Sequence, residues 1–308
     1  MAYNDIIDRT GAAGDVPREI AEQIVGDVET RSTALTLGRR VPTTTRDSRI
    51  PVLSASPDAY FVSGGDAGLK QVSAASFDAT PLIAEEIAVI LVIPDNVLAD
   101  SEFGLWDALR PLVARAFARR LDRAVIFGSE KPATWPLGMV PAAIAAGNTV
   151  TRGTDPVHDL LSAAEQVAEL EYNPTAAAVR TGWQYSAAAT RSDAFTGSPV
   201  GANQPFPLQV AGLPIAINPV FWDNSAADLV IADWSNVLLG VRQDIRFEFS
   251  NSAVITDETG AIVNNMWQRD STSMRAVMRI GYHLAQPATG ANTRGVPVSV
   301  VVPPAPPS

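Results

Sequence analysis

Residues 105–130 read LWDALRPLVARAFARRLDRAVIFGSE, and the fold turns on how this stretch is read. Leu109, Leu112, Val113, Ala116, Phe117, Leu121, Ala124 and Val125 recur at steps of three and four, which predicts a long helix with one core-facing stripe. Arg115, Arg119 and Arg123 follow at i, i+4 and i+8 and share a different face, with Arg120 beside them. This concentration of arginine occurs in a chain of net charge −10. It can be a nucleic-acid contact, an active-site anion clamp or a solvated helix face. Pro111 either kinks the helix or starts its main body, and Gly128 suits a C-terminal stop.

The surroundings narrow the choice. A chain of 308 residues can bury one large core or two medium ones. With 46% hydrophobic and 18% charged residues it suits a packed protein with many covered surfaces. No run approaches the roughly 18 apolar residues of a membrane span, so no membrane partner is expected. No secretion signal is read, and synthesis in the cytoplasm is the default. The absence of cysteine removes disulfides, thiolate catalysis and cysteine-ligated zinc. His158 reads as a helix-start residue and His283 as a strand-surface residue rather than as ligands. Neither lysine, Lys70 or Lys131, follows a phosphate-binding glycine loop, and no G-x-S-x-G or G-x-G-x-x-G turn occurs. Neither a cofactor nor a metal site is expected.

Carboxylates are the remaining candidates for chemistry. Glu85 and Glu86 interrupt the apolar run PLIAEEIAVILVIP, where strand alternation sends one inward and one outward. A buried one could act as a general acid through a raised pKa. An edge strand with an inward charge, or a subunit contact, is the preferred reading, because no second convergent carboxylate motif accompanies it.

Along the chain, Asp15 and Pro17 signal a helix carrying Ile20, Ile24 and Val28 on one stripe, preceded by a polar arm. The stripe needs another surface to cover it. IPVL, AYFV, KQVSAASFDA and PLIAEEIAVILV then read as strands, with Gly64, Gly65 and Gly68 at the tip of a long hairpin. A two-stranded ribbon is marginal alone in water, so this one asks for a partner, most simply another subunit. Asp95 would cap a short helix before the long one. The second half alternates element types. DLLSAAEQVAEL and GWQYSAAATRSD read as helices, and Ala176–Val179, AGLPIAINPVF, DLVIADWSNVLLGV and IRFEFSNSAV read as strands. SMRAVMRIGYHLAQP is placed to return to the first half's sheet, and PVSVVVPPAPPS reads as a loose tail.

This order of elements resembles the major capsid proteins of tailed bacteriophages, the Hong Kong ninety-seven type. The resemblance rests on IPVL, AYFVSGGDAG, SFDATPLIAEEIAVILVIPDNVLAD, LDRAVIFG with Pro136-Leu137-Gly138, AGLPI, VIADWSNVLLGVRQDIRFE and MRAVMRIGYHLAQP, in the family's order and over most of the chain. It implies an α+β fold with an N-terminal arm (1–40), an extended loop with flanking strands (41–92) and a peripheral domain with a spine helix (93–154). An axial domain (155–240), a return to the peripheral domain (241–285) and a C-terminal tail (286–308) would follow. The implied function is a self-assembling, icosahedral shell of pentamers and hexamers that encloses double-stranded DNA without sequence specificity. The implied place is the virion, after assembly in the host cytoplasm.

Inter-subunit contacts are expected at Ile20, Ile24, Val28, Tyr60, Phe61, Gly64, Gly65, Lys70, Glu85, Glu86, Arg115, Arg119 and Arg123. A separate scaffolding protein, or else a chain numbered after redesign, is expected because the chain starts almost directly with the arm; a portal is a further implied partner and a decoration protein an optional one. Some relatives crosslink a loop lysine to an asparagine with a catalytic glutamate. Lys70 and Asn264 or Asn265 could supply the partners, but no glutamate follows Glu258, and Ser273 and Met274 stand where the catalyst would fall. No crosslinking is therefore expected. An encapsulin-like compartment holding a cargo enzyme is the alternative, disfavoured by the arm before the first helix. An enzyme would need convergent polar residues that this sequence lacks, and the net charge opposes a sequence-specific DNA binder.

Overall fold

The computed structural model describes residues 28, 31–62, 72–73, 75–95, 105–190, 209–218, 220–257, 259–289 and 294–304. A five-residue helix α1 (Thr33–Leu37) is capped by Ser32, whose hydroxyl accepts from the Leu35 N–H. It leads into β1 (Arg39–Pro42), β2 (Asp47–Ala55) and the 19-residue β3 (Ser76–Pro94). Helix α2 (Leu105–Val125) is the long helix of the opening stretch, and it contains Pro111 in its interior rather than starting there. Helix α3 (Met139–Ala146), β4 (Thr149–Thr151), α4 (Pro156–Glu169), β5 (Ala176–Val179) and α5 (Trp183–Thr190) come next. The chain continues with β6 (Gln209–Val210), β7 (Leu213–Ile217), β8 (Leu229–Ala232), β9 (Val237–Ser250), β10 (Val254–Thr256), β11 (Ile262–Asn265), β12 (Ser271–Leu284) and β13 (Val298–Val302).

Two sheets organise these elements. The first has the order β1-β9-β12-β3-β2, so the late strand β12 lies between β9 and β3 and joins both ends of the sequence in one layer. Val113, Phe117 and Leu121 of α2 pack with Met274, Met278 and Ile280 of β12 in the main core. The second sheet has the order β4-β13-β8-β5-β7-β6. Its central strands read AAAV, LVIA and VSVVV, runs without polar alternation apart from Ser299. Such runs require cover on both faces. Leu160 and Val167 of α4 pack against Val179, Leu229, Ile231 and Val301 on one face. Val230, Val298 and Val300 on the other face join the main core beside Met139 and Val140 of α3.

The loose-tail reading of PVSVVV is overturned here. Val298, Val300 and Val301 are buried, and β13 bonds β8 on one side and β4 on the other. A hydrophobic run adjacent to prolines still makes a central strand when two neighbours are ready to pair with it. AYFV is also corrected, since residues 59–62 form no strand, and KQVSAASFDA becomes strand only from Ser76. Gly128 does end the long helix region, with φ +67°, and Gly138 packs onto it so closely that a Cβ there would stand 2.3 Å from the Gly128 nitrogen. Glycine at both positions is thus a steric requirement.

Candidate subunit-contact surfaces and a buried carboxylate

The arginine face of α2 is fastened largely to its own chain. Arg123 pairs with Glu130 at 3.2 Å and Arg120 pairs with the same carboxylate. The Arg123 guanidinium lies 4.8 Å from the centre of the Phe221 ring and that of Arg119 lies 5.6 Å from it. Arg115 is exposed, with no ion pair among the described residues. Much of the positive charge is therefore offset by Glu130 and the π face of Phe221.

Glu85 and Glu86 diverge as strand alternation predicts. The Glu85 carboxylate accepts from Arg46 at 2.9 Å and from Thr134 at 3.0 Å, and the Arg46 bond holds its pKa below the usual value. A general acid needs the opposite shift, so that reading fails. Glu86 is exposed and accepts from Arg279 Nε at 3.0 Å. Both residues lie just beyond the end of β2, whose pairing with β3 stops at Asp47 opposite Ile83. From there to Pro94, β3 bonds β12 on one side and has no strand on the other among the described residues. The outer edge of β9 is similar, because β1 pairs with it only as far as Val241.

Large apolar side chains also stand in solvent. Phe61 and Val72 are fully exposed on the loop between β2 and β3, Tyr60 on the same loop is partly exposed, and Phe77 at the start of β3 is largely so. Ile262 and Trp267 are exposed beside the β10-β11 hairpin. Val28, by contrast, is buried in the main core of its own subunit. Ile20, Ile24, Gly64, Gly65 and Lys70 lie outside the described residues, as does most of the short helix expected after Asp95. His158 is exposed near the start of α4, while His283 is half buried in β12, where burial lowers its pKa.

The sequence reading passed over the most constrained polar group. Asp122 lies on the apolar stripe of α2 between Ala118 and Val125, and all three are completely buried. That placement, a charge on a core-facing stripe, was the available signal. Its Oδ1 accepts from Ser32 Oγ at 2.7 Å and from the Ala34 N–H at 3.1 Å. Its Oδ2 accepts from the Thr33 N–H at 3.1 Å and from Asn218 Nδ2 at 2.8 Å. No cation faces it. Burial pushes its pKa up to about 6, against the four donors that pull it down. Another buried carboxylate, Asp228, has two arginines instead, Arg152 at 3.0 Å and Arg180 at 2.9 Å.

Among the described residues, no group of three or more His, Asp or Glu side chains is placed to hold a metal ion. No helix among them is long and apolar enough to cross a membrane. What the described surface does offer is open strand edges and exposed apolar side chains.

The comparisons with known proteins point the same way. The phage capsid family model matches residues 14–289. The chain is 24% identical over 279 residues to the major capsid protein of Staphylococcus phage 80alpha, covering 88% of this chain and 82% of that protein. A solved chain of Microbacterium phage Oxtober96 is 30% identical with a TM-score of 0.74, covering 99% of this chain and 96% of that one. A chain of Mycobacterium phage Bobi is 31% identical with a TM-score of 0.72, covering 89% and 91%.

Proposed function

Because the chain belongs to the phage capsid family and is a major capsid protein forming the icosahedral shell of a tailed phage, we propose that its copies meet as pentamers and hexamers around double-stranded DNA. It is a structural protein of the virion rather than an enzyme. The observation that carries the proposal is the set of exposed apolar side chains and open strand edges on one subunit. Solvent-exposed Phe61, Val72, Ile262 and Trp267, together with edges of β3 and β9 that no strand covers among the described residues, are liabilities in a monomer and contacts in a closed shell.

In this reading residues 1–40 are an arm and 41–92 carry an extended loop that lies on a neighbour through Tyr60 and Phe61. The first sheet with α2 is the peripheral domain, and residues 155–240 contribute the axial domain around the five- and six-fold centres. Glu86 and Arg115, both exposed, are contacts offered to adjacent copies. Glu85, Arg119 and Arg123 support these contacts while bound to their own chain.

Electron microscopy of purified particles tests the reading. Uniform icosahedral shells with packed duplex density are expected, and a shell filled with a protein cargo would instead favour an enzyme-holding compartment. Phe61→Asp should leave the subunit folded but block shell closure. Normal shells from that variant would remove the loop from the contact set.

A further inference from the structure

We infer that Asp122 is a positioning residue that ties the attachment of the arm to the second sheet through Asn218. The inference rests on the reading of residues 1–40 as an arm, and it concerns how that arm is held. Three segments remote in sequence meet on one carboxylate: residues 32–34, the long helix α2, and the turn that follows β7.

Each side of the contact is itself fixed. On the arm side, Ser32 donates to Asp122 and accepts from the Leu35 N–H at 3.2 Å, so its hydroxyl has one orientation while the carboxylate is ionised. On the sheet side, Asn218 accepts at Oδ1 from the Val220 and Phe221 N–H groups at 2.9 and 3.0 Å. Its own N–H donates to the Val179 carbonyl of β5 at 3.1 Å, and its carbonyl accepts from Thr181 Oγ1 at 2.8 Å. The Asn218 amide is thereby locked with its NH2 toward Asp122. Phe221, positioned by that turn, receives Arg119 and Arg123 from the same helix.

A charge without a cation keeps its place in a core only while its donors are all present. Ser32, the Thr33 and Ala34 amides and Asn218 therefore depend on one another, although Asn218 makes no hydrogen bond to the described arm residues. Withdrawal of Asn218 leaves Oδ2 short of a donor and loosens the socket that holds Thr33. By reciprocity, release of the arm segment loosens the turn at 218–221. This makes Asp122 a shared joint rather than a simple cap.

Hydrogen exchange on assembled particles tests the joint. Asn218→Ala should speed exchange of the Thr33, Ala34 and Leu35 amides about fivefold or more, and Asp122→Asn should do so by a larger factor. Ser32→Ala should in turn speed exchange at Val220 and Phe221. Asp228→Asn, which removes a buried carboxylate beside the second sheet whose side chain bonds Arg152 and Arg180 rather than any described arm residue, should leave the 33–35 amides within about twofold of wild type. Unchanged 33–35 exchange in Asn218→Ala, or an equal increase in Asp228→Asn, overturns the joint. If Asn218→Ala fails to assemble, Ser32→Ala alone decides through the 220–221 amides. Altered shell architecture without these exchange changes would count against the assembly reading instead.

Discussion

Titration of Asp122 gives a prediction with a definite sign. Its pKa moves from 3.8 to about 6 on burial, with desolvation the largest cause. A rise of about 2.2 in pKa corresponds to roughly 3 kcal/mol. The folded state takes up the proton before the unfolded chain does. The contribution is therefore fully present below pH about 4 and is lost as pH rises through about 6, where the buried group becomes an anion. Other carboxylates act in reverse. Glu85 and Asp223 have pKa values held down by hydrogen bonds, led by Arg46 and Ser225 respectively, and they lose stability as pH falls. The measurement must isolate Asp122. Asp122→Asn cannot titrate, and its disturbance of the donors is independent of pH. Urea unfolding of wild type and variant, followed by tryptophan fluorescence at matched protein concentration and assembly state, should be compared between pH 4 and 7.5. Relative to the variant, wild type should lose up to roughly 3 kcal/mol across that interval. A flat difference would show that burial and the four donors cancel. A difference that grows in favour of wild type as pH rises would show that the donors win and would refute the reasoning.

Three further outcomes are expected. Gly138→Ala puts a Cβ 2.3 Å from the Gly128 backbone nitrogen, where no flexible side chain can yield; it should cost about 3 kcal/mol or more and lower the melting temperature sharply, and a neutral result would disprove the contact. Truncation after Pro297 removes buried Val298, Val300 and Val301, together worth roughly 5–9 kcal/mol of burial, comparable with the stability of a whole domain. Insoluble or unfolded protein is expected, and a soluble, assembling truncation would return the segment to the status of a tail. Finally, mature particles on denaturing gels should run as monomer. A ladder of covalent oligomers would show that Lys70 finds an asparagine and a base after all.

The sequence by itself determined the elements whose burial pattern is local. The three-and-four spacing in residues 105–125 dictates an amphipathic helix wherever it lies, and the alternation in SMRAVMRIGYHL dictates a strand. Order and coverage of such pieces also carried the family resemblance. Tertiary structure decided whatever depends on a partner distant in the chain. PVSVVV is a plausible tail until β4 and β8 stand on either side of it, because an isolated strand has nothing to bond. AYFV has the composition of a strand, but no described strand pairs with it, so residues 59–62 stay an exposed loop. Asp122 looked like one more charge on a charged helix. Only the meeting of residues 32–34 and Asn218 on the core side of that helix makes it a buried anion with four donors, since desolvation and hydrogen bonding are properties of the surroundings and not of the residue.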